Sequence, residues 1–234
     1  MPPKPPLTHF LCLPLITPTS KPQFQASLAR FTSEVTSSNA IPLRAIRPVS
    51  ALHLTIGVMS LPTPDRLEAA TSFLRSLDIS ALLAAAQGHL LTPLTFSGLH
   101  PMGTAENTSS LYAAPSSPSA APLIPFCTAL RDAFTGAEFM VPETRPIRLH
   151  ATVVNTIYAR EARSGKKRWG KGSGKFDARE LVERYREFEW ARDVRMERVS
   201  ICEMGAKKVM EGEVVVDQVY TEVASVELPV IEGG

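Results

Sequence analysis

The chain has 234 residues, 44% hydrophobic and 21% charged, with 25 Lys+Arg against 23 Asp+Glu for a formal net charge of +2. These figures fit a folded globular chain and exclude a wholly disordered protein, a coiled coil or a collagen-like repeat. The longest apolar run, Ala81–Ala86, is far short of the ~20 residues a membrane-spanning helix needs.

Met1-Pro-Pro-Lys-Pro-Pro is a proline-rich tail over residues 1–6, and no apolar stretch follows it as in a signal peptide. An intracellular protein of the nucleus, the cytoplasm or both is therefore expected. The three cysteines, Cys12, Cys127 and Cys202, each sit in an apolar pattern without paired spacing, which reads as buried free thiols.

Taken in order, Thr8–Ile16 reads as a first strand. Phe24, Leu28, Phe31 and Val35 then recur at helical spacing, stopped by Asn39 and Pro42. Ala51–Leu61 reads as a strand between prolines. Pro64-Asp65 opens a helix striped by Leu67, Ala70, Leu74 and Leu77, and a short helix over 80–87 follows. Leu90–Leu99 and Ser109–Ala114 read as strands around a loop, and Ala114–Pro122 as an Ala/Pro/Ser linker. Ile124, Cys127, Leu130 and Phe134 mark the next helix. Arg148–Tyr158 reads as a strand, Phe176–Trp190 as a helix, and Val194–Glu203 with Asp217–Leu228 as final strands. The order suggests an α+β or α/β fold with a weak internal duplication.

Two of these strands carry one pattern. Leu52-His53-Leu54-Thr55-Ile56 and Leu149-His150-Ala151-Thr152-Val153 both read apolar-His-apolar-Thr-apolar, 97 residues apart. On a strand, residues two apart share a face, so each His/Thr pair would line one surface while Leu54 or Ala151 enters the core. Two imidazoles across a cleft can divide acid and base work near neutral pH. Two threonine hydroxyls can hold non-bridging phosphate oxygens. No metal is required, and the sequence offers no carboxylate/His cluster at metal-ligand spacing.

Paired H-x-T motifs, one per half, resemble the two-histidine phosphoesterases with the LigT-like, 2′,5′ RNA ligase-like fold. Thr8-His-Phe-Leu-Cys-Leu-Pro-Leu15, Arg148-Leu-His-Ala-Thr-Val-Val-Asn-Thr156 and Phe176-Asp-Ala-Arg-Glu180 are similar to the branch that holds two known domains. These are the central domain of A-kinase anchor protein 7 and the phosphoesterase domain of activating signal cointegrator 1 complex subunit 1. The resemblance spans residues 7–228, leaving a tail at 229–234. It implies a bilobal α+β fold with pseudo-twofold symmetry, each lobe contributing an antiparallel sheet, helices and one motif strand to a central cleft. It also implies His53 and His150 as the acid/base pair and Thr55 and Thr152 as phosphate ligands. The substrates implied are RNA ends, 2′,3′-cyclic phosphates or 2′–5′ and 3′–5′ linked nucleotides, with no cofactor. Two alternatives accompany this reading: a nucleotide- or RNA-binding module without turnover, and an interaction subunit of a coactivator or RNA-processing complex. A monomer is expected.

Arg148, on the strand face of His150, and Phe10, on the first strand, are candidate substrate contacts. His9, His89 and His100 lack a repeated context and read as surface or loop residues. Gly165-Lys-Lys-Arg-Trp-Gly-Lys-Gly172 nearly matches a nucleotide phosphate loop, but Gly172 stands where a metal-binding Ser or Thr is needed. The same loop is cationic. Residues 160–175 carry a charge of +6, so the other 218 residues sum to −4. Such an arm suits RNA backbone contact, with Trp169 free to stack on a base.

Overall fold

The computed structural model describes residues 6–38, 40–86, 93–116, 120–159 and 174–229. Ten strands and five α-helices are present among them: β1 (His9–Pro14), α1 (Lys21–Ser37), β2 (His53–Met59), α2 (Pro64–Ser76), α3 (Ile79–Ala85), β3 (Leu94–Pro101), β4 (Ser110–Pro115), α4 (Leu123–Gly136), β5 (Ala151–Asn155), α5 (Arg179–Arg184), β6 (Glu189–Val194), β7 (Arg198–Glu203), β8 (Lys207–Glu211), β9 (Val214–Val219) and β10 (Glu222–Glu227). Short 3-10 turns at Leu43–Ala45, Val49–Ala51 and Thr156–Ala159 flank the motif strands. No helix among the described residues is long and apolar enough to cross a membrane.

Eight strands form one antiparallel sheet in the order β10-β7-β1-β2-β5-β4-β3-β6, and β8 pairs β9 separately. The sheet divides into two four-stranded halves, which meet where Leu54 of β2 faces Ala151 of β5. The duplication is present as β1-α1-β2-α2 followed by β4-α4-β5-α5, with a motif strand third in each unit. The lobes are nevertheless not the two halves of the sequence, because β7 and β10 return to the half containing β1 and β2.

Helices cross between the halves. α1 buries Phe24, Leu28, Phe31 and Val35, and its aromatics meet the far half-sheet. Phe31 lies 5.2 Å from Trp190 of β6, and Phe24 lies 5.7 Å from Phe96 of β3, edge-on in both cases. In return α4 packs on β2, and its Phe134 meets Phe73 of α2 at 5.1 Å. Each aromatic pair adds about 0.5–1.5 kcal/mol beyond its buried area, so the two lobes are fastened by one another's helices. Local signals set the helix starts. The Thr63 hydroxyl accepts from the Arg66 amide ahead of Pro64, and Asp78 accepts from the Ala81 amide.

Some expectations are corrected. The helix expected over 176–190 is only α5, and the chain then turns into β6, where Ala191 pairs Phe96. The Trp190 indole donates to the Gly98 carbonyl at 2.7 Å, and this sheet pairing overrides the local helical spacing. Gly98 holds φ +70 with no room for a side chain beside His100 and Arg186. The strand expected over 148–158 is confined to β5, because Asn155 turns its side chain onto the Ile157 amide and starts a 3-10 turn. Ile124 is exposed, and Phe126 takes its place in the buried stripe of α4. β8 was not expected, since all five of its residues are exposed and it pairs only with β9. His9 is buried in β1 and His100 stands in β3, so neither is a loop residue.

Candidate functional site

The seam between the half-sheets places the repeated motifs together. Leu54 and Ala151 are fully buried, so the residues one step away on each strand project to the opposite face. His53, Thr55, His150 and Thr152 are all partly exposed there. An antiparallel register centred on Leu54 and Ala151 carries His53 towards Thr152 and Thr55 towards His150.

The two imidazoles are held in one way. Nδ1 of His53 donates to the Ala51 carbonyl at 2.8 Å, and Nδ1 of His150 donates to the Arg148 carbonyl at 2.7 Å. A carbonyl can only accept, so the neutral tautomer carries its proton on Nδ1 and leaves Nε2 as the free base. The backbone two residues upstream therefore orients both rings. Neither the Thr55 nor the Thr152 hydroxyl has a hydrogen-bond partner among the described residues, so both are available to a ligand.

Each histidine has an aromatic neighbour from the adjoining strand. Phe10 of β1 lies 4.8 Å from His53, and Tyr112 of β4 lies 5.5 Å from His150 and directly opposite Thr152. His100 follows at 5.5 Å from Tyr112. Tyr220, carried in by the β9–β10 connection, sets its edge on His53 at 5.2 Å. Burial pushes the His53 pKa down, its bond to Ala51 opposes this, and the nearby charges of His150 and Arg47 lower it further, to about 4.

Beside His53 the sheet face opens into a cavity of about 340 Å³, lined by Phe10, Cys12, Cys202, Tyr220, Arg198 and Glu222 among others. That volume is within the range of small-molecule pockets. At its polar edge Arg198 Nε donates to Glu222 at 2.9 Å, and the Ser200 hydroxyl donates to the same carboxylate oxygen. Among the described residues no group of three or more His, Cys, Asp or Glu side chains could hold a metal ion.

Of the expected site residues, His53, Thr55, His150, Thr152 and Phe10 converge on this face. Arg148 lies in the extended segment before β5 with an exposed side chain, and its carbonyl is the group that meets His150. Trp169 and the basic stretch 160–173 lie outside the described residues. Tyr112, Tyr220 and Arg47 were not singled out from the sequence. Tyr112 had one available signal, since it follows Phe10 by 102 residues, close to the motif spacing. The other two had none of their own.

The family model for the AKAP7 2′5′ RNA ligase-like domain matches residues 7–227. An uncharacterized protein of Schizosaccharomyces pombe is 25% identical over 200 residues, covering 84% of this chain and 86% of that one. E. coli LigT, crystallised with 3′-AMP, superposes with a TM-score of 0.52 at 15% identity, over 95% of this chain and 98% of its own. TT0787 of Thermus thermophilus gives a TM-score of 0.50 at 15% identity, over 94% and 97%. At these identities the two crystal structures speak for the fold.

Proposed function

The chain belongs to the AKAP7 2′5′ RNA ligase-like domain family, and on that premise we propose that it is a metal-independent phosphodiesterase. Its substrates are RNA ends, 2′,3′-cyclic phosphates or 2′–5′ and 3′–5′ linked nucleotides. Family membership supports phosphoesterase or ligase-like chemistry in general. The finer reading is carried by one observation: two imidazoles, each fixed through Nδ1 to the carbonyl two residues upstream, share a face with two unpartnered threonine hydroxyls. LigT, which shares the fold, binds 3′-AMP, in keeping with a small nucleotide ligand here.

The histidines take complementary roles, and the environment of His53 suits it to the base. His53 is held neutral at pH 7, so its Nε2 takes a proton from the water that attacks the cyclic phosphate. His150 in its charged form gives the Nε2 proton to the departing ribose oxygen as the phosphorus–oxygen bond breaks. The products are a phosphomonoester and a free hydroxyl, and exchange with solvent returns the proton from His53 to His150. Thr55 and Thr152 donate to the non-bridging oxygens and hold the phosphorus in line. The nucleoside sits in the cavity beside His53, against Phe10 and Tyr220. The cationic composition of residues 160–175 suits contact with the backbone of a longer RNA.

Turnover of 2′,3′-cyclic nucleotides and of 2′–5′ and 3′–5′ dinucleotides in EDTA tests this reading. His53→Ala and His150→Ala should each lower kcat by about 10²–10⁴. Activity that survives both substitutions, or that appears only with added metal, refutes the mechanism. Calorimetric binding of AMP without any product would assign the site to ligand binding instead.

A further inference from the structure

We propose that Arg47, with the hydroxyls of Tyr158 and Tyr220, receives a second anionic group of the substrate, so that the preferred substrate carries a phosphate beside the one that reacts. This rests on the phosphodiesterase reading above and specifies the substrate class of that site.

Arg47 is only 5% exposed. Its amide donates to Val153 at 2.8 Å, and Ile46 bridges Val154, so its backbone is pinned to the end of β5. The guanidinium lies 3.9 Å over the ring of Tyr158, and Nη2 reaches the Tyr220 hydroxyl at 3.4 Å. Surface arginines 30, 145, 179, 184, 186 and 192 all have acidic partners, whereas among the described residues no carboxylate pairs with this buried one. A buried and uncompensated cation is among the least favourable arrangements a fold can hold. Here the cation–π contact offsets only part of that cost.

The surroundings suit an anion. The Tyr158 and Tyr220 hydroxyls are electrostatic neighbours, and with the guanidinium they make a cluster of donors bearing one positive charge. The Tyr220 ring also walls His53, so this cluster adjoins the reacting centre. A planar guanidinium fork matches a phosphate better than a lysine would.

A second Arg-Pro pair, ahead of the other motif, offers a comparison. Arg47-Pro48 stands six residues before His53, and Arg145-Pro146 stands five residues before His150. Arg145 is exposed and paired with Glu143. Both halves thus carry the Arg-Pro element, and only the copy on the His53 side is buried and unneutralised. The two-phosphate preference is therefore one-sided: the second anion lies beyond His53.

The test compares adenosine 2′,3′-cyclic phosphate with its 5′-phosphorylated form, in EDTA. Wild-type protein should prefer the doubly phosphorylated substrate by about ten- to a hundredfold in kcat/KM, carried by KM. Arg47→Gln should abolish that preference and Arg47→Lys should retain part of it, whereas a purely structural role would move both substrates alike. No preference in the wild type, or an undiminished preference in Arg47→Gln, overturns the proposal, and the first result needs no variant to fold. Calorimetry with inorganic pyrophosphate is independent of turnover. Binding that weakens at least about tenfold in Arg47→Gln supports the assignment, and equal binding overturns it. A wild type that turns over neither cyclic substrate refutes the phosphodiesterase reading, with pyrophosphate still deciding on Arg47.

Discussion

Leu54 and Ala151 face each other across the seam of the eight-stranded sheet, and both are fully buried. Each is the middle residue of an H-x-T motif. Because side chains alternate along a strand, this single buried contact sends four polar side chains to the other face. The apolar residue inside each motif is thus the anchor for the site, and the fold's pseudo-symmetry runs through it.

The ionisation of His53 gives a pH signature. Its pKa is about 4 in the fold against 6.5 for a free imidazole. Between these values the unfolded chain binds a proton that the folded chain refuses, so stability falls as pH drops from 6.5 towards 4 and this contribution is level above and below. The loss amounts to roughly 3 kcal/mol at most. Urea midpoints across that window should slope in the wild type and flatten in His53→Gln. In activity, the acid limb of kcat/KM should fall near pH 4; a limb near 6.5 would contradict His53 as the base.

Packing just past the first motif should be unforgiving at Gly57. A Cβ there would collide with the Met140 sulfur and stand 2.8 Å from its methyl, and Met140 is buried. Gly57→Ala should cost about 1–3 kcal/mol by urea unfolding. Adding Met140→Ala should recover part of that loss, making the pair non-additive. Strict additivity would show that the two do not meet.

The proposed RNA contact of residues 160–175 predicts a salt effect. Each phosphate contact on a single strand contributes about 0.7 to the slope of log K against log salt. Changing Lys166, Lys167, Arg168 and Lys171 to Gln should reduce that slope for single-stranded RNA by up to about 3. Hydrolysis of a cyclic mononucleotide should be unaffected. An unchanged slope would detach the arm from RNA.

Thiol chemistry offers a check on the core. Burial pushes Cys127 up to about 12, and burial with the neighbouring Cys202 thiol, 3.8 Å from its sulfur, raises Cys12 as well. Iodoacetamide at about pH 8 should leave Cys12 and Cys127 unlabelled in the native chain. Unfolding in urea should open all three cysteines to labelling, read by mass spectrometry. Labelling of native Cys127 at the unfolded rate would show that its environment is not closed.

Much of the site was readable before folding was considered. His53, Thr55, His150 and Thr152 stand out through repetition at half-chain spacing, and period-two alternation alone assigns their common face. The buried stripe of α1 was legible in full, because helical spacing is a local property of the backbone. Readings failed where sheet pairing overrode local preference. Phe176–Trp190 has helical spacing, yet Trp190 is drawn into β6 by Gly98 and by pairing with β3. β8 escaped notice because a fully exposed strand buries nothing and leaves no apolar period.

The motif repeat and the duplication are therefore properties of the sequence by itself, since both depend on residues within a few positions of one another or on direct repetition. The exchange of α1 and α4 between half-sheets, and the meeting of Arg47 with Tyr220 from 173 residues away, were decided only by the tertiary structure. Which distant segments become neighbours depends on strand order and on how the aromatic core closes. Neither writes a periodic mark into the chain. The burial of Arg47, in contrast to the exposed Arg145 of the other Arg-Pro pair, is of this second kind.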